Sequence, residues 1–124
     1  MSDVVYGAGA LVAAERDDKR MWSLHGRLLA RGAVPFVPAP VLTEVWRGTA
    51  GQHRLGLLLR SCTIDDLDGT RSRRAGVLLA RAPHGVADAS VVECALRRRA
   101  ACISSNREHL LALAAPEHLE IIDV

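Results

Sequence analysis

The 124-residue chain predicts an α/β protein, a mainly parallel sheet of about five strands with helices on both faces. Three observations predict it. Short apolar, β-prone runs alternate with segments of helical period along the whole length. Glycine and proline punctuate most of the junctions. The first run, Val4-Val5-Tyr6, breaks at Gly7-Ala8-Gly9 and passes straight into a helical pattern. In an open sheet of this kind ligands bind beyond the carboxyl ends of the strands, so function is expected beside Gly7.

The elements follow in order. Residues 3–6 form a buried strand. Ala8, Leu11, Val12 and Glu15 keep helical spacing and predict a helix over 8–17. Asp17-Asp18 then caps a helix over 18–31 that carries Met21, Trp22, Leu24, Leu28 and Leu29 and stops at Gly32. Val34-Pro35-Phe36-Val37-Pro38 is a second strand, and Pro40 suits the first turn of a helix over 40–47. A helix over 52–60, a brief strand over 63–67 and a helix over 71–82 come next. Pro83-His84-Gly85 is a turn. A helix over 86–99, a strand over 101–104, a helix over 105–114 and a strand over 119–122 complete the chain. Ser105 and Glu108 have capping-box spacing at the start of the last helix. No linker or repeat interrupts the alternation, so residues 1–124 read as one domain.

Composition narrows the class. Hydrophobic residues make up 49% of the chain, enough for a real core. No apolar run approaches the ~18 residues that span a membrane. No basic region leads into an apolar stretch and a cleavage site, so the expectation is a cytoplasmic protein without a membrane partner. Cys62, Cys94 and Cys102 are odd in number and form no C-x-x-C pair, which argues against a disulfide frame or a zinc site. Cys94 and Cys102 read as small core residues. Of the 16 basic residues only Lys19 is not arginine. The arginines cluster at Arg71, Arg73, Arg74 and at Arg97, Arg98, Arg99. This suits either a solvated face or phosphate contacts.

Gly7-Ala8-Gly9 has the look of a dinucleotide loop, but Val12 stands where a third small residue is needed. The acid expected after the second strand is also missing. No P-loop, no G-x-S-x-G and no metal-spaced histidine pair occurs. The acids in apolar surroundings are more informative. Glu44 shares a helical face with Val41, Val45 and Gly48. Either a cation or hydrogen bonds satisfy it, or its helix tilts to bring it to solvent. Asp88, in line with Val91, Val92 and Ala95, sits in a first helical turn that favours an anion; a simple N-cap is the other reading. Asn106 falls at the carboxyl end of a central strand, level with Gly7, and also reads as a helix-start residue.

Four segments, in this order and spacing, carry a resemblance over essentially the full length. They are Val4-Val5-Tyr6-Gly7-Ala8-Gly9-Ala10-Leu11-Val12-Ala13-Ala14-Glu15, Pro38-Ala39-Pro40-Val41-Leu42-Thr43-Glu44-Val45-Trp46-Arg47-Gly48, Val86-Ala87-Asp88-Ala89-Ser90-Val91-Val92 and Ser104-Ser105-Asn106-Arg107-Glu108-His109-Leu110. The chain resembles the PIN-domain family, specifically VapC-type toxins of toxin–antitoxin pairs. The resemblance implies a three-layer α/β/α sandwich and a Mg²⁺- or Mn²⁺-dependent endoribonuclease. Four acids at the carboxyl end of the sheet would hold the metal, which activates water against a phosphodiester. The pattern maps onto Gly7, Glu44, Asp88 and Asn106. Two of these depart from it, because Asp is expected at Gly7 and at Asn106. Glu44 and Asp88 remain as catalytic, metal-binding carboxylates, Asn106 as a weak ligand, and Gly7 as the position of a missing one. Metal binding is expected to be weakened or absent. Arg47 and Arg107 are expected near RNA phosphates, and an antitoxin and a homodimer follow from the resemblance. The alternative is a non-catalytic module that binds its antitoxin and RNA.

Overall fold

A computed structural model describes residues 3–124. Its strands are β1 (Val4–Tyr6), β2 (Pro35–Pro38), β3 (Thr63–Asp65), β4 (Ala101–Ser104) and β5 (Ile121–Asp123). Its helices are α1 (Ala8–Glu15), α2 (Lys19–Ala30), α3 (Ala39–Val45), α4 (His53–Leu59), α5 (Gly69–Arg81), α6 (Val86–Arg98) and α7 (Arg107–Ala114). The strands form one sheet in the order β3-β2-β1-β4-β5, and all four pairings are parallel. This is the α/β/α architecture expected.

β1 is central and buried on both faces, which is why Val4-Val5-Tyr6 is apolar without alternation. Its register runs Val5 to Phe36 on one side and Val5 to Cys102 on the other. The prolines of β2 stand at its two ends, where losing an N–H donor costs the ladder least. Val5, Tyr6, Leu11, Val37, Val41, Leu55, Leu58, Ile103, Leu110 and Leu113 are fully buried. Each such side chain contributes roughly 1.5–3 kcal/mol relative to exposure. The three thiols are free, and burial pushes each up to about 12, so they remain protonated packing groups.

The boundaries differ from expectation at two informative places. Asp18 does cap α2, accepting from the Met21 N–H at 2.9 Å. The capping box at Ser105 and Glu108 does not form. α7 begins two residues later than expected, at Arg107, with Asn106 as N-cap residue, and the hydroxyl of Ser104 accepts the Asn106 N–H at 3.0 Å. Ser105 is spent instead on contact with α1. A Cβ added at Gly9 would lie 2.3 Å from its hydroxyl oxygen and 2.9 Å from its backbone nitrogen. Only glycine lets the β4–α7 turn approach α1 so closely. The third strand is also shorter than expected, ending at Asp65.

Two buried polar networks tie the helices to the sheet. Tyr6 donates to Nδ1 of His25 at 2.7 Å, and Nε2 of His25 donates to the Ser61 hydroxyl at 2.7 Å. Ser61 in turn donates to the Leu58 carbonyl at 3.0 Å. This chain of donors makes His25 a neutral imidazole, and its burial holds its pKa below the ordinary value. At the other side of the sheet Asp65 lies between arginines of α6 and α5. It accepts from Arg97, from Arg98 at 2.8 Å and from Arg71 at 3.3 Å. Glu93, also buried, takes Arg97 at 3.0 Å, and the Arg98 guanidinium lies 3.6 Å from the Phe36 ring centroid. These contacts pin the C-terminal end of α6 to β2 and β3, and so set where its N-terminal end falls.

Candidate metal centre

The carboxyl end of β1 delivers Gly7, and the backbone there has φ −84° and ψ 177°, open to any residue. Its N–H donates to the Ile103 carbonyl at 2.9 Å, which sets Gly7 level with the end of β4. α3 starts directly after β2 and brings Glu44 to the same end. α6 runs back toward the sheet, and its first turn carries Asp88. Helices α3 and α6 pack together, and a cleft of about 430 Å³ lies between Pro40, Thr43 and Glu44 on one and Val86 and Ala87 on the other. The turn after β4 adds Asn106. The fold therefore brings Asp88 and Asn106 into contact, sets Gly7 level with the end of β4, and leaves Glu44 on the wall of the α3–α6 cleft.

Their environments differ. Gly7 is buried, and a Cβ there would meet the Ser104 hydroxyl oxygen at 3.3 Å, so a side chain needs Ser104 to yield slightly. Glu44 is exposed, and its carboxylate makes no hydrogen bond or ion pair among the described residues. The tilt that takes it to solvent answers the cost of its apolar neighbours. Asp88 is not the N-cap; Gly85 is. The Asp88 side chain is 19% exposed, and two groups engage it. The Asn106 amide donates to Oδ1 at 3.4 Å, and His109 Nδ1 to Oδ2 at 3.3 Å. His109 also stacks on His84, with ring centroids 4.2 Å apart.

No protein-family model matches the chain, and no curated protein does. Solved structures do. VapBC2 from Rickettsia felis, bound to a DNA fragment from its promoter, superposes with a TM-score of 0.73 at 16% identity. The match covers 97% of each chain. FitAB bound to the IR36 DNA fragment gives 0.66 at 10% identity, over 97% of this chain and 94% of that one. The chain therefore shares the PIN-like α/β/α fold of these two structures.

Of the four expected positions, Asp88 and Asn106 are in side-chain contact, and the donor set is poor in charge. Two carboxylates stand where four are implied, and one already accepts two hydrogen bonds. Among the described residues no three His, Cys, Asp or Glu side chains converge where one cation could be held. Two further acids, Glu15 and Glu93, are committed elsewhere: Glu15 accepts from Gln52 at 2.7 Å, and Glu93 from Arg97. These residues do not fit a tightly bound divalent cation.

The two arginines are also engaged. Arg47 folds back on α3 and donates to the carbonyls of Glu44 and Trp46 at 2.7 and 2.9 Å. Arg107 makes a two-nitrogen pair with Asp123 and donates to the Ile121 carbonyl at 2.8 Å. This pairing holds the Arg107 pKa above its ordinary value and the Asp123 carboxyl below its own.

Gln52 and His109 were not among the expected site residues. Gln52 is buried and uses all its hydrogen-bonding capacity. Its oxygen accepts from the N–H groups of Arg47 and Gly48 at 2.6 and 3.0 Å, and its nitrogen donates to Glu15 and to the Val45 carbonyl. It fixes the chain that leaves Glu44. The capping-type pattern after β4 pointed at the neighbourhood of His109, three residues beyond Asn106, but nothing in its spacing marked it.

Proposed function

We propose that this chain is the toxin-fold member of a toxin–antitoxin pair whose RNA-cleaving centre is impaired. One observation carries the reading: the end of β1 bears glycine where the metal-binding carboxylate belongs, while Asp88 is tied to Asn106 and His109. Metal affinity in oxygen-ligand sites follows charge count. Glu44 and Asp88 would hold a weakly bound Mg²⁺ or Mn²⁺, with the Asn106 carbonyl oxygen as a third donor. A bound divalent cation supplies an activated water and stabilises charge on the phosphate. The likeness to VapBC2 and FitAB supports a partner antitoxin; RNA as the polymer addressed, a homodimer and a cytoplasmic setting belong to the same proposal. No helix among the described residues is long and apolar enough to cross a membrane. Arg47 is the better placed of the two arginines for RNA, since Arg107 is already paired.

The test compares RNA cleavage in Mg²⁺ or Mn²⁺ by this chain and by a Gly7→Asp, Asn106→Asp form. The double form should cleave faster by about tenfold or more, the scale on which metal-site ligands act. Equal rates would sink the impaired-centre reading.

The engagement of Asp88 favours a second reading, a binding module without turnover. Calorimetry with Mn²⁺ separates the two. Metal binding with RNA cleavage belongs to the first, and partner binding with neither belongs to the second.

A further inference from the structure

We infer that the stacked pair His84 and His109 is a seat for one unpaired base of an RNA strand, beside Asp88. The two imidazoles lie face to face, with centroids 4.2 Å apart and planes 14° from parallel. They come from different elements, His84 from the turn that leads into α6 and His109 from the first turn of α7. His109 Nδ1 donates to Oδ2 of Asp88 at 3.3 Å, so the plane of its ring is set. His84 covers one face of that ring, yet the His109 side chain is 51% exposed. The opposite face is therefore open, and a flat heterocycle there extends the stack by one layer. Imidazole is among the side chains on which splayed RNA bases lie.

The surrounding charge selects the base and not the phosphate. Asp88 borders the stack, Glu108 precedes His109, and Arg107 is already paired with Asp123. A phosphate here meets anions, whereas a neutral base offers a π-face that carries no net charge. An aromatic side chain of a partner protein has a similar shape. Position favours the base, because His109 is bonded to Asp88, which in turn accepts from Asn106. One platform seats one base and does not track a strand. The inference rests on the proposed function for RNA as the ligand; it needs no metal and no proton transfer.

The experiment titrates the whole chain, in EDTA, with a dye-labelled uridine dodecamer and with the same strand built from abasic riboses. Fluorescence anisotropy reads the binding. The abasic strand should bind about fivefold or more weaker, the scale of one base–aromatic stack. His109→Ala should weaken the uridine strand by a similar factor and leave the abasic strand unchanged. His109→Tyr keeps a flat ring without the imidazole nitrogens and should restore the affinity. In the unsubstituted chain the ring protons of His109 should move upfield on adding the uridine strand. Those of His118, beside Ala100 and Ala101 where β4 begins, should not. Equal binding of the two strands, no binding of either, a His109→Ala form that binds uridine normally, a His109→Tyr form as weak as His109→Ala, or static His109 resonances would each overturn the inference. So would a tryptophan-bearing peptide that moves those resonances when the uridine strand does not. None of these readouts requires cleavage or metal, so the base seat and the impaired centre fail or stand separately.

Discussion

The side-chain amide of Asn106 donates to Oδ1 of Asp88 across 3.4 Å. A neutral donor thus meets the Asp88 carboxylate and satisfies it from within the chain.

Asn106→Asp replaces that donor with a like charge. Two carboxylates at this separation repel unless a cation lies between them. We expect Mn²⁺ affinity to rise by about tenfold or more, and the metal-free protein to lose roughly 1 kcal/mol. Calorimetry with Mn²⁺, and melting with and without the metal, read both effects. Unchanged Mn²⁺ affinity would remove Asn106 from the candidate centre.

The two glycines of the first turn should respond differently to alanine. At Gly9 the new Cβ meets the hydroxyl and the backbone nitrogen of Ser105 well inside contact distance. Overpacking of this kind costs about 1–3 kcal/mol, more than the ~1 kcal/mol that Gly→Ala gains in a helix. At Gly7 the nearest atom is 3.3 Å away and the backbone is ordinary. Gly7→Ala should therefore shift the denaturation midpoint much less than Gly9→Ala. The reverse order would contradict the packing described.

His25 predicts a pH dependence. Its folded pKa lies below the unfolded value of 6.5, so the unfolded chain takes the proton first. Stability is full above about pH 6.5 and falls as the pH drops from there toward the folded pKa, by at most ~1.4 kcal/mol per unit. Denaturant unfolding between pH 7.5 and 5 measures the slope. His25→Gln cannot titrate and should flatten it, so an equal slope in that variant would assign the effect elsewhere.

Asp65 is the anion on which Arg97, Arg98 and Arg71 converge. Burial pushes its pKa up, but hydrogen bonds and charge from Arg97 and Arg98 outweigh that and hold it below the usual carboxylate range. Its contribution is present above the unfolded pKa near 3.8 and is lost as the pH falls through the folded one. Asp65→Ala removes the buried anion shared by three partly buried arginines and should cost about 3 kcal/mol. A loss under 1 kcal/mol would show that the arginines reach water unaided.

The parallel sheet was legible because punctuation and period agree at most junctions, from Gly7 to Pro83-His84-Gly85. Glu44 and Asp88 were legible as acids inside apolar helical runs, a conflict that local structure alone does not resolve. The Asp65 cluster was not, since its partners lie 32 and 33 residues away and meet only through tertiary packing. A hint existed in Val91-Val92-Glu93-Cys94-Ala95, where Glu93 interrupts a core run. Tyr6, His25 and Ser61 escaped notice for the same reason. The Ser105 capping box misled because its spacing describes an isolated helix start, whereas Ser105 here is pressed against Gly9.

The backbone at Gly7 makes no demand for glycine, and Ser104 needs to move only a few tenths of an ångström to admit a side chain. Folding and chemistry are therefore separable in this scaffold. Selection on thermal stability would pass over position 7 without notice. Selection for the activity proposed above would act on it instead.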